Sequence, residues 1–207
     1  TLRYGIGDNR AVASFRRVFD ITGSFQASWV DNTKLLQVLD QIEKPLTKSY
    51  IREVIFNTIP SVSKFHCLDL FSGSGILSVE AFSRGAEEIT LIEKDKSVCK
   101  MIEKQFNLLK IDKYNLLQGD VLEFLKKECT TQYDLIFIDP PYDGKLLQES
   151  LNLLQVYRYF IGCSYLFFEQ INDKQNKTNL DFMNRDWIIL KDLSIGEVSY
   201  TIAKKRE

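Results

Sequence analysis

The sequence has few of the residues that build metal centres or histidine-dependent active sites. It contains one histidine, His66, and its four cysteines, Cys67, Cys99, Cys129 and Cys163, form no C-x-x-C pair. A metal site needs several such ligands together, and a Ser-His or Cys-His pair needs a histidine with an orienting partner. We therefore predict no metal site and expect reduced, mostly buried thiols in a cytoplasmic protein.

Long apolar runs and a net charge are also lacking. No apolar run approaches the roughly 18 residues that a membrane helix needs, so we expect no membrane contact. The 27 Lys and Arg residues nearly cancel the 28 Asp and Glu residues, which leaves a formal net charge of −1 over 207 residues. Nucleic-acid contact must then come from a local basic patch. Candidates are Arg10, Arg16 and Arg17; Lys44, Lys48 and Arg52; and Lys204, Lys205 and Arg206.

Short apolar strands alternate with amphipathic helices from residue 45 to the end of the chain. We predict helices over 47–59, 76–84, 96–109, 121–127 and 145–154, and strands over 65–71, 89–92, 115–117, 133–138, 163–168, 187–191 and 197–203. This alternation favours an α/β fold with a Rossmann-like, seven-stranded, mostly parallel sheet and an antiparallel hairpin at one edge. Residues 45–207 would form this domain. Residues 1–44, with arginines among aromatic residues, would form an appendage or a substrate-contacting arm.

A glycine-bearing turn follows the first predicted strand and opens a helix. Its residues are Asp69-Leu70-Phe71-Ser72-Gly73-Ser74-Gly75. Glycines at the carboxyl end of a parallel strand let the backbone approach a ligand closely, with helix N–H groups exposed. The third glycine of the dinucleotide fingerprint is replaced by Ser78, which disfavours a nicotinamide cofactor. An ordinary tight turn remains the structural alternative.

Acidic residues follow the next two strands. Glu93 is placed to accept hydrogen bonds from the two ribose hydroxyls of an adenosyl ligand, although an acidic residue before Lys94 has an equally simple structural explanation. In Gln118-Gly119-Asp120-Val121, Asp120 is placed to cap the following helix, to bind an adenine amino group, or to do both.

The fourth strand ends in Asp139-Pro140-Pro141-Tyr142, which is the strongest signal in the chain. The prolines have no N–H, so this segment presents carbonyl oxygens. A carboxylate, a carbonyl and a flat ring suit a planar base with an exocyclic NH2 group. Asp139 and the Pro140 carbonyl would accept its two hydrogens, and Tyr142 would stack on the ring. The alternative is a proline-terminated strand with a packed tyrosine.

In this order, these motifs resemble class I S-adenosylmethionine-dependent methyltransferases that modify exocyclic amines of nucleobases. More narrowly, residues 45–207 are similar to the RsmD family of bacterial small-subunit ribosomal RNA guanine-N(2)-methyltransferases. The stretches that carry the similarity are Lys44-Pro45-Leu46-Thr47, Ile51-Arg52-Glu53-Val54-Ile55-Phe56-Asn57, Leu68–Gly75, Ile92-Glu93-Lys94-Asp95, Asp139–Tyr142 and Gly196-Glu197-Val198-Ser199-Tyr200.

The resemblance implies a class I methyltransferase fold and methyl transfer from S-adenosylmethionine to a guanine amine of 16S ribosomal RNA. It implies that the cofactor is bound by Asp69, Phe71, Gly73, Gly75, Glu93, Asp120 and Val121, and the base by Asp139, Pro140 and Tyr142. The near-neutral charge favours a small-subunit particle as substrate, and the size favours a monomer.

Two other functions remain open at this point. A DNA adenine amino-methyltransferase would share the cofactor residues and the D-P-P-Y segment, but such enzymes normally carry a target-recognition insertion for which the chain after Tyr142 looks too short. A non-catalytic cofactor- or RNA-binding module would have no need for Asp139.

Overall fold

The computed structural model describes residues 46–127, 129–141, 145–171 and 186–207. The helices in these ranges are α1 (Leu46–Thr58), α2 (Ile76–Ser83), α3 (Lys96–Leu109), α4 (Val121–Leu125) and α5 (Lys145–Val156). The strands are β1 (His66–Asp69), β2 (Glu88–Glu93), β3 (Tyr114–Gln118), β4 (Tyr133–Ile138), β5 (Phe160–Ile171), β6 (Trp187–Ile195) and β7 (Val198–Lys205). The predicted appendage, residues 1–44, lies outside the described residues.

The strands form one seven-stranded sheet in the order β3-β2-β1-β4-β5-β7-β6. Strands β1 to β5 pair in parallel, whereas β7 runs antiparallel to both β5 and β6. The predicted parallel sheet with an antiparallel edge hairpin is therefore confirmed. The strand order reverses between β1 and β4, and open α/β sheets bind their ligands in the crevice at such a point.

Alternating residues of the buried strands pack into two apolar layers. Cys67, Leu91 and Phe137 point to the face that is covered by α1, α2 and α3. Leu68 and Ile136 point to the opposite face, which is covered by α4 and α5. Both faces of the central strands are thus buried, as the continuous apolar strand sequences predict.

Strand β5 is longer than predicted, because it contains an irregularity that the sequence pattern does not show. Cys163 has a positive φ of 68°, and the pairing of β4 with β5 shifts between Tyr133 and Leu135. The Ser164 hydroxyl satisfies the displaced backbone by donating to the Tyr133 carbonyl at 2.7 Å and accepting from the Ile161 N–H at 2.9 Å. The strand therefore begins at Phe160 rather than at Cys163.

The expectation of buried thiols is confirmed for two cysteines only. Cys67 and Cys99 are buried, whereas Cys129 and Cys163 are partly exposed. The conformation at Cys163 turns that residue away from a regular strand position. No helix within the described ranges is long and apolar enough to cross a membrane.

Candidate active site

The turn after β1 has a strained backbone that is fixed to β2. Phe71 has a φ of 81°, and Gly73 and Gly75 have φ values of 51° and 73°. The N–H groups of Phe71 and Ser72 both donate to the Ile92 carbonyl, at 3.3 and 3.1 Å. A non-glycine residue in this region of φ costs about 1–3 kcal/mol, and such residues cluster at functional sites.

The two glycines of this turn have different surroundings. A Cβ added at Gly73 would meet only the Phe71 carbonyl oxygen, at 3.9 Å, so the backbone there faces open space that a ligand can enter. A Cβ added at Gly75 would lie 3.4 Å from the Phe106 ring and 3.6 Å from Ile102. Gly75 therefore serves the close packing of α2 against α3, whereas the backbone at Gly73 is open.

Glu93 at the end of β2 holds the turn in place. Its Oε2 accepts from the Gly73 N–H at 2.9 Å, and its Oε1 accepts from the Asp95 N–H at 2.8 Å. A carboxylate has about four acceptor positions, so each oxygen retains capacity for a second donor. A cofactor with a vicinal diol fits these two acceptor oxygens, because each of its two hydroxyl groups can donate to one of them.

Asp69 is a buried carboxyl group at the end of β1, with 4% of its surface exposed. Burial raises its pKa to about 7, the Ser78 hydroxyl opposes this by donating to Oδ2 at 2.7 Å, and the charges of Asp139 and Glu93 raise the pKa further. Asp69 therefore carries little more than a partial charge at neutral pH while it orders the start of α2 through Ser78.

A cavity of about 340 Å³ opens between α1 and the carboxyl ends of the central strands. Four of the predicted site residues line it, namely Asp69, Phe71, Gly73 and Asp139. Asp139 directly follows β4 and is half-buried. The structure thus brings the turn after β1 and the acid after β4 to one cavity at the switch point of the sheet.

Three further predicted site residues lie next to the cavity-lining residues but do not line the cavity themselves, namely Glu93, Gly75 and Pro140. Glu93 adjoins it through its hydrogen bond to Gly73, and Pro140 follows Asp139 in the chain and is buried. The predicted stacking residue, Tyr142, lies outside the described residues.

Two predicted cofactor residues after β3 are not brought to the cavity. Asp120 caps α4 by accepting from the N–H groups of Leu122 and Glu123, at 2.9 and 3.3 Å. Burial raises the pKa of Asp120, but these two hydrogen bonds and Lys94, 3.5 Å away, lower it by more. The Val121 side chain is 5% exposed and packs into the layer beneath α4 and α5. The capping interpretation of Asp120 is confirmed, and Val121 contributes its side chain to the core.

Sequence reasoning missed two cavity residues, Glu169 of β5 and Tyr200 of β7. They are paired across the two strands, with 4% and 7% of their surfaces exposed. Burial raises the pKa of Tyr200 to about 12, with further contributions from the charges of Glu169 and Asp139. The sequence did contain a signal for Glu169, because it directly follows the predicted strand 163–168 just as Asp139 directly follows the predicted strand 133–138. Tyr200 has no such signal, since only the pairing of strands brings it beside Glu169.

Of the basic candidates, Arg10, Arg16, Arg17 and Lys44 lie outside the described residues, and Arg52 and the group at the end of β7 lie apart. Arg52 of α1 lines the cavity, and its Nε lies 3.8 Å from Glu80 Oε2. Lys204 pairs with Tyr165, four residues before the cavity residue Glu169 on β5, and its ammonium lies 5.9 Å from the Tyr165 ring. The group Lys204, Lys205 and Arg206 is therefore remote from the cavity, and Arg52 is beside it.

The chain matches a family model and several named relatives. The model, described as "Conserved hypothetical protein 95", matches residues 32–204. The chain is 34% identical over 158 residues to "Ribosomal RNA small subunit methyltransferase D" of Buchnera aphidicola subsp. Baizongia pistaciae, covering 75% of this chain and 79% of the relative. It is 29% identical over 160 residues to the Escherichia coli K12 protein of that name, covering 77% and 78%.

A solved structure from Escherichia coli, described as "Putative methyltransferase yhhF", has the same fold. It superposes with a TM-score of 0.71 at 29% identity and covers 78% of this chain and 87% of that one. The chain belongs to the Conserved hypothetical protein 95 family, which groups it with the small-subunit ribosomal RNA methyltransferase D proteins.

Proposed function

We propose that this protein transfers a methyl group from S-adenosylmethionine to the exocyclic N2 amine of a guanine in small-subunit ribosomal RNA. The observation that carries the proposal is the cavity at the switch point of the sheet, where Asp139 and the strained turn after β1 meet. The names of relatives that the chain covers over most of their length support the substrate class.

The residues around the turn fit the cofactor. The Glu93 oxygens keep acceptor positions for the ribose hydroxyls, and the open space at Gly73 admits the ligand close to the backbone. When bound, S-adenosylmethionine supplies a methyl group on a positively charged sulfur. Asp69, Asp139 and Glu169 place three carboxyl groups at the cavity, and negative charge on these groups favours a cationic ligand there.

Asp139 and the Pro140 carbonyl would position the amine. The lone pair of an aryl amine is delocalised into the ring, so the nitrogen is a weak nucleophile. Accepting both of its hydrogens favours a pyramidal nitrogen whose lone pair points at the methyl carbon, which is catalysis by orientation and electrostatics. One N–C bond forms and one C–S bond breaks. The alkylated nitrogen is strongly acidic, so its surplus proton passes to solvent without a dedicated base.

A base inside folded RNA must leave its stack before it can enter the cavity. Arg52 beside the cavity is placed to contact a phosphate of the entering strand, while the near-neutral net charge limits affinity for naked RNA. We infer that the substrate is a small-subunit particle, in which ribosomal proteins add contact surface, and that the enzyme acts as a monomer.

The proposal is tested by mass spectrometry of ribosomal RNA from cells with and without the gene. The expected result is the loss of one N2-methylguanine from 16S RNA. Purified protein with radiolabelled S-adenosylmethionine is then offered unmethylated small-subunit particles, naked 16S RNA and duplex DNA. Faster methylation of particles than of naked RNA supports the proposal. Incorporation of label into adenine of DNA overturns it. Equal rates on particles and on naked RNA overturn the inference that the particle is the substrate.

A further inference from the structure

A row of three side chains on β4, β5 and β7 is left unexplained by methyl transfer alone. Asp139 follows β4, Glu169 lies in β5 and Tyr200 lies in β7, and these three strands are neighbours in the order β4-β5-β7. All three residues line the cavity. Positioning an amine requires Asp139, but it gives no reason for a second carboxylate and a buried phenol at the same place.

The strand register places the three residues side by side. Ile138 pairs with Phe168, so the residues that follow, Asp139 and Glu169, are at the same level of neighbouring strands. Glu169 pairs directly with Tyr200. Neighbouring strands lie about 4.8 Å apart, a spacing that lets side chains on one face contact adjacent atoms of a single base.

The residue types of the row indicate its hydrogen-bonding groups. Glu169 is 4% exposed, and the carboxylate form of this side chain offers only acceptors. Because burial and the charges of Glu169 and Asp139 raise the pKa of Tyr200 to about 12, its hydroxyl keeps its proton at neutral pH and remains a donor. Across the sheet, the row therefore presents hydrogen-bond acceptors at Asp139 and Glu169 and a hydrogen-bond donor at Tyr200.

We propose that Glu169 and Tyr200 determine the base specificity of the enzyme by binding the Watson–Crick edge of guanine. That edge presents the N2 amine, the N1–H and the O6 oxygen in sequence, which is donor, donor and acceptor. Asp139 takes the amine, Glu169 accepts from N1–H, and the Tyr200 hydroxyl donates to O6. Adenine has a hydrogen-bond acceptor at N1 and a donor amine at its 6-position. Its N1 lone pair would face the Glu169 carboxylate, and its 6-amine would face the Tyr200 hydroxyl, which is also a donor.

This inference rests on the proposed function, and its test separates the two. Once the methylated guanine has been located, small-subunit particles are assembled with either guanine or 2-aminopurine at that position. Both bases carry the 2-amine, but 2-aminopurine has no N1–H and no O6. We expect wild-type protein to prefer guanine by about 100-fold in kcat/KM, since each lost polar partner costs roughly tenfold or more.

Two variants are compared with the wild type. In Glu169→Gln, the amide can donate to the unprotonated N1 of 2-aminopurine, so the preference for guanine falls at least tenfold. In Tyr200→Phe, the rate on guanine falls several-fold while the rate on 2-aminopurine does not change, because that base has no O6 to bind. The control is Glu149→Gln, on the exposed side of α5, which keeps the wild-type preference.

The outcomes are distinguishable. If wild-type protein methylates neither base, the proposed function fails. If it methylates guanine but both variants lower the two rates by one common factor, Glu169 and Tyr200 serve structure only and the inference is overturned. Unchanged cofactor affinity and melting temperature in Glu169→Gln verify that the variant has folded.

Discussion

At the scale of single residues, the charged groups of the cavity are mostly carboxyl groups, set among apolar side chains. Asp69, Asp139 and Glu169 line it together with one cation, Arg52, which also lies 3.8 Å from Glu80. Such a cavity attracts a sulfonium ion more strongly than the neutral thioether that remains after methyl transfer. Product release is thereby favoured by the same charges that attract the substrate.

The raised pKa of Asp69 predicts how stability depends on pH. A carboxyl group that binds its proton more tightly in the folded state makes stability fall as pH rises between the unfolded and folded pKa values. Because the pKa of Asp69 rises from an ordinary 3.8 to about 7 on folding, this fall lies between about pH 4 and pH 7. The limiting slope for one group is about 1.4 kcal/mol per pH unit.

We expect Asp69→Asn to remove this contribution, since the amide oxygen still accepts the Ser78 hydroxyl but carries no titrating proton. The free energy of unfolding, measured by urea denaturation from pH 4 to pH 8, then depends less on pH than in the wild type. Asp112→Asn, at an exposed aspartate, is the matched control and keeps the wild-type slope. An unaltered slope in Asp69→Asn would show that Asp69 titrates normally.

Glu93 carries a prediction for cofactor affinity. Replacement by alanine removes the acceptors for the ribose and releases the N–H groups of Gly73 and Asp95. We expect the Kd for S-adenosylmethionine, measured by calorimetry, to rise about 10-fold to 100-fold, because hydrogen bonds to charged groups contribute about 1.5–3 kcal/mol.

The control for Glu93 lies on the same strand. Glu88→Ala removes an exposed carboxylate from the opposite end of β2 and leaves the Kd unchanged. Equal affinities for the wild type and Glu93→Ala would contradict the assignment of the ribose to Glu93.

At the scale of elements, the turn between β1 and α2 connects folding with binding. Gly75 has a φ of 73° and faces the Phe106 ring of α3, so any side chain there is strained and crowded. We expect Gly75→Ala to lower the free energy of unfolding by about 1–2 kcal/mol, the usual cost of a left-handed conformation for a non-glycine residue.

The control for Gly75 uses a glycine with neither constraint. Gly162→Ala places a methyl group where nothing lies within 4 Å, and its φ is not in the left-handed region. It changes the stability by less than about 0.5 kcal/mol, as surface substitutions usually do. A similar loss of stability in the two variants would mean that the conformation of Gly75 is unimportant.

Elements with local signals were predicted most accurately. Helix α3 begins after Asp95, whose carboxylate accepts from the Ser97 and Val98 N–H groups, and its apolar face includes Ile102 and Phe106. Its predicted bounds, 96–109, are those observed. The start of β5 was missed because its irregularity depends on pairing with β4, and pairing partners are distant in the sequence.

At the scale of the whole molecule, the sequence predicted the fold class because strands buried on both faces must alternate with helices that cover them. Among the residues that line the cavity, it singled out those next to glycines and prolines, namely Asp69, Phe71, Gly73 and Asp139. Glu169 was missed although it follows its predicted strand as Asp139 does, and Tyr200 was missed because its position depends on β7 inserting between β5 and β6, which no local pattern shows. The cofactor role of Val121 stays a prediction, and its side chain packs into the layer beneath α4 and α5.

The proposed function assigns two roles to two places at the edge of the sheet. The turn that Glu93 holds would bind the cofactor, and Asp139 after β4 would position the base. Measuring both functions in Asp139→Ala tests this division most directly. We predict that methyl transfer to small-subunit particles falls by at least 100-fold while the calorimetric Kd for S-adenosylmethionine stays within about threefold of the wild type. Loss of cofactor binding, or full turnover without the Asp139 carboxylate, would contradict the account.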